Sequence, residues 1–145
     1  RVPCNEDPYE DVFRVQLCVT MLQTCGAYFI AGANRSRLIR FLHHLQRYYF
    51  CKIQVPFTVE FALLDLLDDL EAQMRRLDLK RAMKKHSQAF DEHRGVNGCE
   101  PTLASMADPF ERFTTWEGAQ RKIEMMEIVD AEATALQQVK HAATL

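Results

Sequence analysis

Apolar residues recur every three or four positions along most of the chain, and no segment alternates with a period of two for long. That pattern restricts the chain to an all-α fold, because a strand needs its side chains to alternate between faces. The first such run is Phe13, Leu17, Met21, Cys25 and Tyr28 or Phe29. Asp7-Pro8-Tyr9-Glu10 reads as its start: Asp7 is placed to cap, Pro8 sits where no donor is missed, and Glu10 completes the box. Gly32 is placed as a left-handed stop. Gly26 falls inside this helix, where a missing side chain lets a neighbouring helix approach.

A second helix, capped by Asn34 or Ser36, carries Leu38, Phe41, Leu42, Leu45 and Tyr49 on its inner face. A third follows Pro56, with Thr58 as cap and Phe61, Leu64, Leu67, Leu70 or Glu71, and Met74 in period. Leu63 and Leu66 widen that stripe. Asp78 is the expected cap of a fourth helix, with Leu79, Ala82, Met83, His86, Ala89 and Phe90 inward and Gly95 and Gly98 at its end. Asp108-Pro109-Phe110-Glu111 repeats the opening cap pattern and predicts a short helical turn. A final helix starts after Thr115 and runs to about Lys140, with Ala119, Ile123, Met126, Val129 or Asp130, Ala133 and Leu136 inward. The chain thus divides into two helix pairs over 1–94, a loop over 95–108, and a short plus a long helix over 109–145. Short connections make the pairs antiparallel hairpins, and stacked hairpins are the minimal pattern of a helical solenoid, although no internal sequence repeat is present.

The 145 residues suffice for one domain with its own core. The net charge of −2 sets up no global field toward nucleic acid or membrane. Five cysteines, at 4, 18, 25, 51 and 99, form no CxxC pair, and their odd number fits free thiols in a reducing compartment. No apolar run is long enough to span a membrane, and no signal-peptide pattern opens the chain.

The chemical readings of single residues are weaker than their packing readings. A nucleophilic Cys25 activated by His43 or His44 would need an electropositive, accessible setting, yet Cys25 lies on the apolar stripe. The Gly26 to Gly32 stretch lacks the glycine spacing and the lysine-serine ending of phosphate loops. His43 and His44 diverge by about 100° on a helix, and His86 with His93 finds no partner pair for zinc. Asp65, Asp68 and Asp69 share a face, which suits hard-metal or acid chemistry less well than a solvated acidic surface. No catalytic residue, metal or cofactor is expected. Two basic surfaces stand out. One is Arg35, Arg37, Arg40, Arg47 and Lys52 interleaved with Tyr48, Tyr49 and Phe50, a combination that suits RNA phosphates and bases. The other is Lys80, Arg81, Lys84 and Lys85, at the expected start of the fourth helix, where the helix dipole disfavours cations.

The run from Phe13 to Tyr48 resembles the third initiation-factor-4G-type middle domain of the Up-frameshift-two family, scaffolds of nonsense-mediated mRNA decay. Phe13-Arg14, Leu17, Thr20, Leu22, Thr24-Cys25-Gly26, Tyr28-Phe29, Gly32, Arg37-Leu38, Phe41-Leu42 and Gln46-Arg47-Tyr48 carry the likeness. A weaker likeness continues from Pro56 to Phe90, and none is evident from Gly95 onward. Ile30-Ala31 replaces an acidic-basic pair of the family, and Ala33 to Arg37 replaces a lysine-rich turn. The resemblance implies a HEAT-like solenoid fragment, the C-terminal part of the domain, with no catalytic activity. It implies a cytoplasmic location, with a perinuclear one as the narrower option. It also implies contact with the RNA-recognition-motif domain of Up-frameshift protein three and with other decay factors, and RNA as a further ligand. Two acidic surfaces are the expected docking faces for a basic protein partner: Asp65, Asp68, Asp69 and Glu71, and Glu124, Glu127, Asp130 and Glu132.

Overall fold

A computed structural model describes residues 6–92 and 101–144. It contains four α-helices: α1 (Phe13–Cys25), α2 (Ala33–Phe50), α3 (Phe57–Glu92) and α4 (Trp116–Ala143), with 3-10 turns at Gly26–Phe29 and Leu103–Ser105. No strand occurs among the described residues. The all-α expectation holds, and helices α1 and α2 form the expected hairpin. Helix α3 packs on α1, and α4 packs on α2.

The core lies between the first three helices. Val15, Val19 and Leu22 of α1 meet Leu38, Leu42 and Leu45 of α2 and Val59, Leu63, Leu66, Leu67, Leu70 and Met74 of α3, with Phe110 closing the cluster. Gly26 is buried where α1 ends, and a side chain there would meet Leu70 Cδ2 at 3.1 Å. The glycine therefore permits the close approach expected of it, although it opens a 3-10 turn and is not mid-helix.

Several elements depart from the sequence reading. Helix α1 starts at Phe13, with Asp11 Oδ1 accepting from the Phe13 N–H at 2.8 Å. Asp7 is instead drawn inward by Lys52 and Tyr48. Gly32 has φ 65° and ψ −151°, a conformation that glycine tolerates, but it precedes α2 where a stop to α1 was expected. Neither Asn34 nor Ser36 caps α2; both lie inside it. Helix α3 runs unbroken through Asp78, so the third and fourth expected helices are one. No glycine or proline interrupts 57–92, and Asp78 turns its carboxylate to Arg35 of α2 in place of capping. Lys80, Arg81, Lys84 and Lys85 are accordingly exposed along a continuous helix and meet no helix start. The 108–111 segment is irregular, and the short turn forms at Leu103–Ser105. Helix α4 begins as expected, with Thr115 Oγ1 accepting from the Gly118 N–H at 3.2 Å. Gly95, Gly98, His93, Cys4, Cys99 and the side chains of Ala89 and Phe90 lie outside the described residues.

The apolar face of α1 is the largest correction. Phe13 is 63% exposed and Met21 55%, whereas Val15 and Val19 are buried. The helical period is right, but the chain buries the smaller, β-branched side of α1 and leaves the larger side uncovered. Phe61 and Leu64 of α3 are exposed in the same way.

Candidate interaction surfaces

The five basic residues Arg35, Arg37, Arg40, Arg47 and Lys52 do not converge on one patch. Arg35 donates both guanidinium nitrogens to Asp78, at 2.7 and 2.6 Å, and ties α2 to α3. Arg40 is ion-paired with Asp130 of α4. Arg47 donates to Gln120 Oε1 at 2.7 Å. Lys52 is buried, and its Nζ donates to Asp7 Oδ1 at 2.6 Å and to the Pro8 carbonyl at 2.9 Å. Burial pulls the Lys52 amine down, but its hydrogen bonds to Asp7 and Tyr48 win and hold it above the ordinary lysine value. Asp7 is held below its ordinary value by Lys52 first and Tyr48 second. This is a buried, charge-assisted knot that pins the N-terminal segment to the end of α2. Arg37 alone of the five is exposed and makes no ion pair among the described residues.

The acidic residues of α3 divide by function. Asp68 and Glu71 hold Arg112, at 2.6 and 3.5 Å. Glu71 also accepts from Arg75, which in turn reaches Asp108. These two carboxylates anchor the segment before α4. Asp65 and Asp69, one turn apart, remain exposed. On α4, Asp130 is committed to Arg40, and Glu124 accepts from Gln120 at 2.7 Å on an exposed surface. Glu127 and Glu132 stand on the part of α4 where every residue from 127 to 144 is exposed. Around them Met125, Ile128, Val129, Leu136 and Val139 are 58–66% exposed and recur at helical spacing. Ala133 and Leu136, expected inward, therefore face solvent.

The residues that set the position of α4 are two buried polar side chains of α2. Gln46 donates to the Glu111 carbonyl at 3.1 Å and accepts from the Phe113 N–H at 3.0 Å. His43 Nε2 accepts from the Glu111 N–H at 3.3 Å, which places the ring proton on Nδ1, 3.3 Å from Met126 Sδ. The imidazole also packs edge-on against Phe113, centroids 5.3 Å apart. Burial first, and the charge of Lys122 second, push the His43 pKa below its ordinary value, with Glu111 opposing. An uncharged imidazole is what this geometry requires, since Nε2 must accept. Part-buried irregular backbone beside a helix gains its hydrogen-bond partners from these side chains. In the sequence these two residues sit among apolar neighbours on the inner arc of α2; that placement was the available signal.

No catalytic arrangement forms around Cys25. Its thiol donates to the Met21 carbonyl at 3.0 Å, while His43 is engaged with the α4 side. Burial raises the Cys18 thiol, which keeps it protonated. Among the described residues no group of three or more His, Cys, Asp or Glu side chains could hold a metal ion. No helix of the described residues is long and apolar enough to cross a membrane.

Packed helices, a polar clamp on irregular backbone and outward-facing charged stripes define the described residues as an all-helical unit. Comparison with known proteins points to a particular family. The chain is similar to the regulator of nonsense transcripts UPF2 of Arabidopsis thaliana, 46% identical over 70 residues, 48% of this chain. It is also similar to regulator of nonsense transcripts 2 of Mus musculus and of Homo sapiens, 32% identical over 82 residues in each, 50% of this chain. Half of the chain is thus homologous to a segment of the UPF2 regulators of nonsense transcripts. The match spans 6% of the length of each of these relatives. No family model matches the chain, and no solved structure matches it.

Proposed function

We propose that the chain is a non-catalytic scaffold segment in the regulation of nonsense-mediated mRNA decay, and that it docks partner proteins on charged helical faces. The observation that carries the reading is the 46% identity to a regulator of nonsense transcripts over 70 residues. The structure supports it with carboxylates that make no ion pair among the described residues: Asp65 and Asp69 on α3, and Glu127 and Glu132 on the uncovered part of α4. Asp68, Glu71 and Asp130 serve internal ion pairs, and Glu124 a hydrogen bond from Gln120, so the docking role falls chiefly on the other four. A basic partner surface satisfies such faces, steers encounter and fixes orientation. The resemblance of Phe13 to Tyr48 makes the third middle domain the assignment within the family. It makes the RNA-recognition-motif domain of Up-frameshift protein three the first partner to test, in a cytoplasmic setting.

The test is a titration of the chain against that recognition domain, beside single-stranded RNA at two salt concentrations. Replacing Glu127 and Glu132 by Lys, or Asp65 and Asp69 by Lys, is expected to weaken protein binding about tenfold or more for one of the pairs. Unchanged affinity in both variants contradicts the acidic-face reading. Tight RNA binding with a steep salt slope, and no protein binding, replaces it with the RNA reading.

A further inference from the structure

The last part of α3 carries charge that the fold does not use. Met74 is the last buried residue of α3 among those described, so the stretch 76–88 runs on past the core. Within it stand Arg76, Lys80, Arg81, Lys84 and Lys85, all exposed, in a chain whose net charge is −2. None of them makes an ion pair among the described residues. The one carboxylate of the stretch, Asp78, is held by both terminal guanidinium nitrogens of Arg35. All the cations fall within about half of the helix circumference. Arg76, Lys80 and Lys84 form one row and Arg81 and Lys85 a second, each member about 6 Å along the axis from the next.

Helix stability does not account for this placement. Like charges four residues apart repel, and 76 with 80, 80 with 84, and 81 with 85 are such pairs. The helix dipole favours cations only in the last turn, and the last turn of α3 holds no basic residue. A protein partner, or a further helix of the same protein, suits the stripe poorly. Interfaces between proteins are depleted in lysine and centre on buried apolar or aromatic anchors. The stretch 76–88 has no Phe, Tyr or Trp, and Met83 is its one exposed large apolar side chain. A helix laid over the stripe would bury its charges at a desolvation cost that packing does not return. We propose that this stripe binds the sugar-phosphate backbone of single-stranded RNA without reading its bases. One helical turn between cations is comparable to the step between successive phosphates along a strand, and contacts of charge to phosphate need no apolar anchor. The choice of RNA over DNA rests on the function proposed above; the phosphate chemistry does not.

The test is fluorescence anisotropy of the whole chain with a labelled uridine tract of about 12 nucleotides, repeated over a series of salt concentrations. With the five cations engaged, the logarithm of the affinity should fall with the logarithm of salt at a slope of about −3.5. Lys80→Gln with Lys84→Gln keeps good helix formers on an exposed face, so folding is retained. That variant should bind about tenfold more weakly at low salt, with a slope shallower by about 1.4. Arg37→Gln, exposed on α2, should leave both quantities unchanged. An adenosine tract and a deoxythymidine tract of the same length should bind within about threefold of the uridine tract, so the stripe is tested apart from the proposed function. No binding at low salt, or a slope that the α3 variant leaves unchanged, overturns the proposal. So does a preference for one tract of more than about tenfold. A glutamate-rich peptide of equal charge that binds more tightly than the RNA would assign the stripe to an acidic protein and overturn it as well.

Discussion

Helix α4 has two halves with the same sequence character and opposite fates. From Trp116 to Met126 it is seated on α2: Ala119 and Ile123 are fully buried, and His43 and Gln46 hold the chain leading into it. From Glu127 to Thr144 nothing is buried, though Ile128, Val129, Leu136 and Val139 continue an apolar stripe. The last tie between the far half and the body is the exposed Arg40–Asp130 pair. Amphipathic periodicity shows that a helix has a face to bury. What covers that face depends on the rest of the fold or on a partner. In this molecule burial is concentrated in the three-helix core and the polar clamp, and the far half of α4 is left uncovered.

Substitutions should grade along that contrast. Leu42→Ala, at the centre of the core, is expected to cost about 2–5 kcal/mol of global stability by denaturant unfolding. Gln46→Ala removes the side-chain partners of part-buried backbone at Glu111 and Phe113, and about 1 kcal/mol of α4 docking with them. Hydrogen exchange should quicken at the Phe113 amide first. A loss spread evenly through α1 and α3 would mean that the clamp supports the whole fold and not α4 in particular.

Acid should release the same clamp. The folded state holds His43 below its ordinary pKa of about 6.5, so the unfolded chain binds more protons under that pH. The stability due to neutral His43 is therefore complete above about pH 6.5 and falls as pH drops from there through the folded-state pKa. His44, lowered by burial and then by Arg47, adds to the loss in the same direction. The single tryptophan, Trp116, begins α4 and reports the change by fluorescence. A flat Trp116 signal between pH 7 and 5 would contradict the tautomer assigned to His43. Arg40→Ala should cost at most about 1 kcal/mol, because the ion pair it removes is exposed. Leu136→Ala should change stability by no more than about 0.5 kcal/mol, although leucine is large and apolar.

Fold class and the start of α4 were legible because periodicity and the Thr115 cap are local signals. The faces were less so. Phe13, Leu17 and Met21 make the more apolar stripe of α1, but Val15 and Val19 are what the Gly26 contact brings against α3. Asp78 looked like a cap because its partner Arg35 is 43 positions away in the chain. The same long-range pairing dismantled the basic patch: Arg35, Arg40 and Lys52 meet Asp78, Asp130 and Asp7, none of which is a sequence neighbour. Of the acidic residues, Asp65, Asp69, Glu127 and Glu132 face solvent, whereas Asp68, Glu71 and Asp130 are tied to arginines distant in the chain. His43 and Gln46 were marked only by their place among apolar neighbours on the inner arc of α2, because their partners are backbone groups of irregular chain.

Hydrogen exchange on the chain, free and then saturated with the recognition-motif domain of Up-frameshift protein three, tests the division of labour most directly. In the free chain, amides of 15–25, 38–50 and 59–74 should be the slowest to exchange, and those beyond Asp130 the fastest among helical residues. On binding, protection should rise along the far half of α4 or around Asp65 and Asp69 while the core is unchanged. Slow exchange beyond Asp130 in the free chain, or added protection that avoids both acidic faces, would contradict the account.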